Sequence, residues 1–334
     1  MKVCRGFVVL AALLASATVA GSTAPGPVPA GDFHGPLWRR AQELAASGRP
    51  LELLVASRLA FSQEPSTPPR AAGEPAPSDE WLERAIRTGS DQPVIARAAV
   101  SRCIATGRCD IPAAIQTLRT READDAVSQL LLWRMEMVRG SPATMALAWE
   151  RVANATRFVD EYAEGVALFD RMTRGVRLPA PDDGPSAAPD LPRLEVVYGL
   201  SAGLSMTALA DLHRRCRAGA ADAVLDEGCR HLLTVMADSA SLLANSFATS
   251  KLLAAARDAA ERARWQERRR ELAWITTEAS GLLGADSDVV PGVDTHAYLR
   301  WTVESGELGA MRQLLAANGI PVQPPAGWQP PQVP

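Results

Sequence analysis

Across residues 91–155, apolar side chains recur in steps of three and four, the repeat that lines one face of an α-helix. Ala96, Ala99, Val100 and Cys103 form one stripe, and Ile111, Ala114, Ile115 and Leu118 the next. The pattern returns 34 residues later, with Leu130, Trp133 and Met137, then Met145, Ala148, Trp149 and Val152. Asp110 and Ser141 are of the N-cap type, and each is followed within two residues by a proline suited to a first helical turn. The stretch predicts two successive helical hairpins.

The same periodicity predicts a helix pair at 37–47 and 51–62 around Gly48-Arg49-Pro50, a short helix at 81–87, and a helix at 158–172. Further on it predicts helices at 194–215 and 223–243, a long one at 249–280, and a last pair at 295–304 and 308–318 closing on Gly319. Pro/Ala/Glu-rich residues 63–79 read as a linker inside a first lobe, 37–173. Residues 174–192, with five prolines, read as the boundary to a second lobe, 193–320. Residues 321–334 form a Pro-rich tail. Its Trp328 is the side chain most able to anchor it, so the tail is expected to pack back across the final helix pair as far as that residue. No series of alternating strands is evident. The fold class expected is all-α: stacked antiparallel helical hairpins in two lobes.

The 34-residue offset, with a glycine near each turn (Gly107, Gly140), resembles the tetratricopeptide and Sel1-like repeat class over residues 93–157. The Trp, Leu, Gly and Tyr pattern usual in the first helix of that class is missing, as is its closing proline. Residues 306–322 (GELGAMRQLLAANGIPV) are similar to the second half of an ankyrin unit, although one unit makes no array. The resemblance implies a TPR-like solenoid that binds a protein or peptide on a concave face.

Residues 1–20 have the order of a secretory signal: Lys2 and Arg5, an apolar core at 7–14, then Thr18-Val19-Ala20. Gly/Pro-rich 21–36 follow as a flexible lead-in. Without residues 1–20 the net charge moves from −3 to about −5, which offers no general attraction for nucleic acid or anionic lipid. The longest uncharged run between the linkers, 196–210, has 15 residues and is too short to span a bilayer. Nearly all basic residues are arginine and alanine is abundant, a bias of GC-rich bacterial coding. The expected location is therefore the periplasm or the exterior. Four cysteines remain behind the signal, which favours disulfides and allows three connectivities. Cys103 with Cys109, and Cys216 with Cys229, each bracket one inter-helix connection, so local pairing is expected.

The sharpest catalytic candidate is Gly199-Leu200-Ser201-Ala202-Gly203, a G-x-S-x-G match after LEVVY, a possible strand. Asp288 or Asp294 with His296 would complete a Ser–Asp–His order, and His34-Gly35 resembles an oxyanion-loop pair. A nucleophile elbow needs a parallel sheet behind it, and the sequence offers none. His213-x-x-Cys216 with Cys229-x-His231 is a zinc-like quartet, but Cys229 and His231 at i, i+2 on a helix point apart. Asp124-Asp125 and Asp182-Asp183 read as a helix start and a linker, and 261–271 (ERARWQERRRE) as a solvated helix face. Trp133 and Trp149 are candidate ligand-facing aromatics, although their spacing favours the core. The expectation is a non-catalytic binding protein with no metal or cofactor and a protein or peptide partner. The alternative is a secreted serine hydrolase using Ser201, His296 and Asp294.

Overall fold

The computed structural model describes residues 34–63, 75–179, 190–203, 209–217, 225–283 and 293–330. These form fourteen helices and no strand. In chain order they are α1 (His34–Ala46), α2 (Pro50–Gln63), α3 (Pro77–Gly89), α4 (Pro93–Thr106), α5 (Pro112–Arg121), α6 (Ala126–Arg139) and α7 (Pro142–Ala153). They continue as α8 (Glu161–Thr173), α9 (Leu191–Ala202), α10 (Leu209–Arg215), α11 (Glu227–Ala237), α12 (Leu242–Ala254), α13 (Ala259–Leu283) and α14 (Thr295–Ala317). Proline stands at the first or second position of α3, α4, α5, α7 and α9, where its missing N–H costs no hydrogen bond.

The two hairpins of the 34-residue repeat form as expected: α4 packs on α5, α6 on α7, and α6 lies against α4. Gly107 and Gly140 end α4 and α6 with φ of 72° and 76°, and their N–H groups donate to the carbonyls of Cys103 and Glu136. Ser141 caps α7. At α5 the cap is Ile111 without side-chain help, one residue beyond the expected Asp110. Cys103 is bonded to Cys109 across the α4–α5 turn, and Cys216 to Cys229 between α10 and α11. Closing loops this short contributes on the order of 2–3 kcal/mol each.

Helix α2 (PLELLVASRLAFSQ) is apolar nearly all round, and accordingly it touches α1, α3, α4 and α8. Gly89 lets the end of α3 close onto the start of α2, since a Cβ there would stand 2.4 Å from Pro50 Cβ. One hydrophobic cluster joins Leu53, Val55 and Leu59 of α2 to Val166 and Phe169 of α8, Leu194 and Val197 of α9, and Leu299 of α14. Helices α8 and α9 pack together, so this cluster is continuous across the expected boundary at 174–192.

Three expected long helices are divided. Residues 194–215 give α9 and α10, and the 223–243 region ends α11 at Ala237 before α12 begins. The expected helix at 249–280 breaks after Ala254, because Asp258 Oδ1 accepts from Glu261 N–H (2.8 Å) while Glu261 Oε2 accepts from Arg257 N–H (2.8 Å). These two side-chain caps start α13 anew. The last pair joins as α14, broken at Gly306 (φ 72°) where the gap was expected.

The tail is docked. Trp328 meets the Trp274 ring edge-on at 5.3 Å, and Trp274 Nε1 donates to the Pro321 carbonyl at 2.8 Å. Arg270 donates to the carbonyls of Pro325 and Trp328. The polar attachments thus lie on α13, while Ile320, Val322 and Trp328 pack on a cluster shared by α13 and α14. The expected signal at 1–20, Asp182-Asp183 and Asp288 lie outside the described residues.

Candidate functional site

Four helices enclose a cleft of about 380 Å³, a size that suits a small ligand or a few side chains. Each wall is a helical stripe: Leu54, Ser57, Arg58 and Phe61 from α2; Val94, Arg97, Ala98, Ser101 and Arg102 from α4; Glu161, Glu164, Gly165 and Leu168 from α8. Ser78, Asp79 and Leu82 of α3 complete it, with Gly203 beyond α9. Phe61 stands at the site 66% exposed, whereas Phe169 in the wall is buried.

The charged groups divide into two kinds. Arg97, 4% exposed, donates to both oxygens of Glu122 at 2.6 and 2.7 Å. It also reaches Glu164, and its Nε lies 3.5 Å from Glu161. Burial opposes its charge, but Glu164, Glu122 and Glu161 together hold its guanidinium above the ordinary arginine value. Glu122 accepts in addition from the Ser128 hydroxyl. Burial pushes the Glu161 carboxyl up to about 7, although Arg97 opposes the shift. Arg102 bridges Asp79 and Glu83 of α3, each at 2.8 Å.

Arg58 differs. Its Nε is buried without a hydrogen-bond partner, and among the described residues no carboxylate or carbonyl meets its guanidinium. Burial pushes it below the ordinary arginine value, with no neighbouring acid to compensate. Other half-buried arginines whose Nε is closed off from solvent have carboxylate partners: Arg230 donates to Glu261 at 2.6 Å, and Arg134 pairs with Asp211 at 2.5 Å.

The residues singled out from sequence lie elsewhere. LEVVY is part of helix α9, with Pro192 in its first turn, so no strand–turn–helix elbow presents Ser201. Ser201 is buried, and its hydroxyl donates to the Val197 carbonyl at 2.7 Å. Asp294 caps α14 by accepting from the His296 N–H at 3.1 Å. The exposed His296 ring lies 3.6 Å from Asp190. The disulfide takes up Cys216 and Cys229. His231 Nε2 lies 2.9 Å from the Ala155 carbonyl, and His213 is exposed. Trp133 and Trp149 pack against each other at 5.2 Å in the cluster between α6, α7 and α11, with Arg215 over the Trp149 ring.

The stretch 261–271 carries Arg270–Glu267 and Arg268–Glu271 pairs at i, i+3, and its Trp265 is buried. Asp125 caps α6, and Asp124 pairs with Arg157. Among the described residues no cluster of three or more His, Cys, Asp or Glu is arranged to hold a metal, and no helix is long and apolar enough to cross a membrane.

Sequence reasoning missed Arg58. Its signal was a single basic residue inside LELLVASRLAF, an otherwise apolar helical segment. In comparisons with protein-family models, curated proteins and solved structures, none matches this chain.

Proposed function

We propose that this is a non-catalytic binding protein of the periplasm or cell exterior, built as a TPR-like stack of helical hairpins. It holds a peptide or a segment of a partner protein in the cleft between α2, α3, α4 and α8. The observation that carries this reading is the cleft itself, with partly apolar walls and a half-buried arginine that has no partner among the described residues. Stacking of α6 on α4, each with its hairpin partner, supports the TPR-like arrangement, and the two disulfides suit an oxidising compartment.

The test is photo-crosslinking in the native compartment from p-benzoylphenylalanine at Phe61, with a control at Leu147, 58% exposed on α7. A discrete adduct from position 61 that disappears when Ser101→Trp fills the cleft is expected. Equal adducts from both positions, or none from 61, would contradict the reading.

A further inference from the structure

An arginine has no neutral form available, because its guanidinium keeps its proton at any physiological pH. Arg58 is half-buried, with only its Nε closed off from solvent, whereas the fully buried arginines of this protein are met by carboxylates. Arg97 has three carboxylates, and Arg193 has Asp170 and Asp190. Arg58 has none among the described residues, yet it lines an open cleft beside Leu54 and Phe61. Its missing counter-ion can therefore arrive from outside.

The rest of the cleft limits what that counter-ion is attached to. Leu54, Leu82, Val94, Ala98 and Leu168 supply apolar wall. The cleft's carboxylates, Asp79, Glu161 and Glu164, already face Arg102 and Arg97, so further negative charge on a ligand would be repelled. One carboxylate on an apolar body fits, and a polyacidic segment does not. The carboxyl terminus of an apolar peptide places a single negative charge directly beside apolar side chains, and the polar Ser57, Ser78 and Ser101 of the walls suit its backbone better than a plain hydrocarbon chain.

We infer that the cleft receives the carboxyl-terminal end of an apolar peptide, with Arg58 pairing its terminal carboxylate. This rests on the peptide-binding reading above and names the end of the peptide that binds. A guanidinium meets a carboxylate through two parallel N–H donors, so a lysine replaces it poorly.

The test uses the full chain and two matched pools of N-acetylated tripeptides of Leu, Val and Phe, one as free acids and one as C-terminal amides. Binding is followed by calorimetry with wild type, Arg58→Lys and Arg58→Met, each checked for unchanged helical circular dichroism. The acid pool should bind wild type at least tenfold more tightly than the amides, a difference of about 1.4 kcal/mol. Arg58→Lys should retain part of that ratio and Arg58→Met should reduce it to near one. Equal binding of acids and amides would overturn the proposal while leaving a peptide cleft intact, whereas failure of the Phe61 crosslink would remove the cleft reading itself. Octanoate binding that depends on Arg58, without any binding of the acid tripeptides, would assign the site to a fatty acid and overturn the peptide assignment. Retention of the acid preference in Arg58→Met would also overturn it.

Discussion

Arg193 and Arg58 flank the same hydrophobic cluster and have opposite surroundings. Arg193 opens α9, 3% exposed, and ties it to α8 by donating to Asp170 at 2.8 Å, to Thr173 at 3.2 Å and to Asp190 at 2.6 and 2.8 Å. Hydrogen bonds to Asp190 are the first cause that holds its charge, and they raise its guanidinium above the ordinary value. Arg58 sits in the wall of the cleft with its Nε unbonded. The fold meets charge within itself where helices must be joined and leaves it unmet where the surface opens. Arg193 is part of the architecture, and Arg58 is the group assigned above to a ligand's carboxylate.

Breaking the Arg193 knot gives the largest expected effect. Arg193→Met leaves Asp170 and Asp190 without their shared cation and should cost about 3–5 kcal/mol in urea unfolding. A loss as large in Arg58→Met would erase the distinction between the two sites.

An intermediate case is Glu307, which follows the Gly306 kink. Gly306 is crowded, since a Cβ there would meet Ala240 Cβ at 2.4 Å and Asp160 Oδ2 at 2.8 Å. Glu307 accepts from Leu242 N–H at 3.2 Å. Burial first, then nearby Asp160, pushes its carboxyl from 4.5 up to about 7. Unlike an arginine, it escapes an unmet charge by taking up a proton. The folded chain therefore binds that proton more tightly than the unfolded chain. The stabilisation is complete below about pH 4.5 and is lost as pH rises through about 7. Glu161 acts in the same direction. Melting should be higher at pH 5 than at pH 8 by the equivalent of about 1–3 kcal/mol, and Glu307→Gln should shrink the difference.

Apolar anchoring offers a comparison without charge. Ending the chain after Ala326 removes Trp328 from its contact with Trp274 and should cost about 1–3 kcal/mol. Thermal unfolding with no change would show that the docked tail adds no stability. The smallest effect belongs to Arg58→Met, expected within about 1 kcal/mol of wild type or slightly stabilising, since an apolar side chain of similar length removes an unpaired, half-buried charge.

What the sequence made legible was local. The hairpins, both cysteine pairs, the glycine stops at 107 and 140 and the docked Trp328 follow from spacings of a few residues, and each appears in the structure. The run 249–280 misled because no proline or glycine interrupts it before Gly281, although Asp258-x-x-Glu261 was a readable capping signal. LEVVY suited strand or helix, and Pro192 with the Arg193 contacts settled it as helix. The cleft was not legible, because its walls come from α2, α3, α4 and α8, and only packing brings those stripes together.

The most direct measurement places both arginines in one spectrum. Arginine Nε–Hε resonances assigned by Arg→Lys substitution would be followed while N-acetylleucine is added to the full chain. The Arg58 signal should move to saturation while those of Arg97 and Arg193 stay in place. An Arg58 signal unmoved by the carboxylate, or moving no more than those of Arg97 and Arg193, would contradict the account.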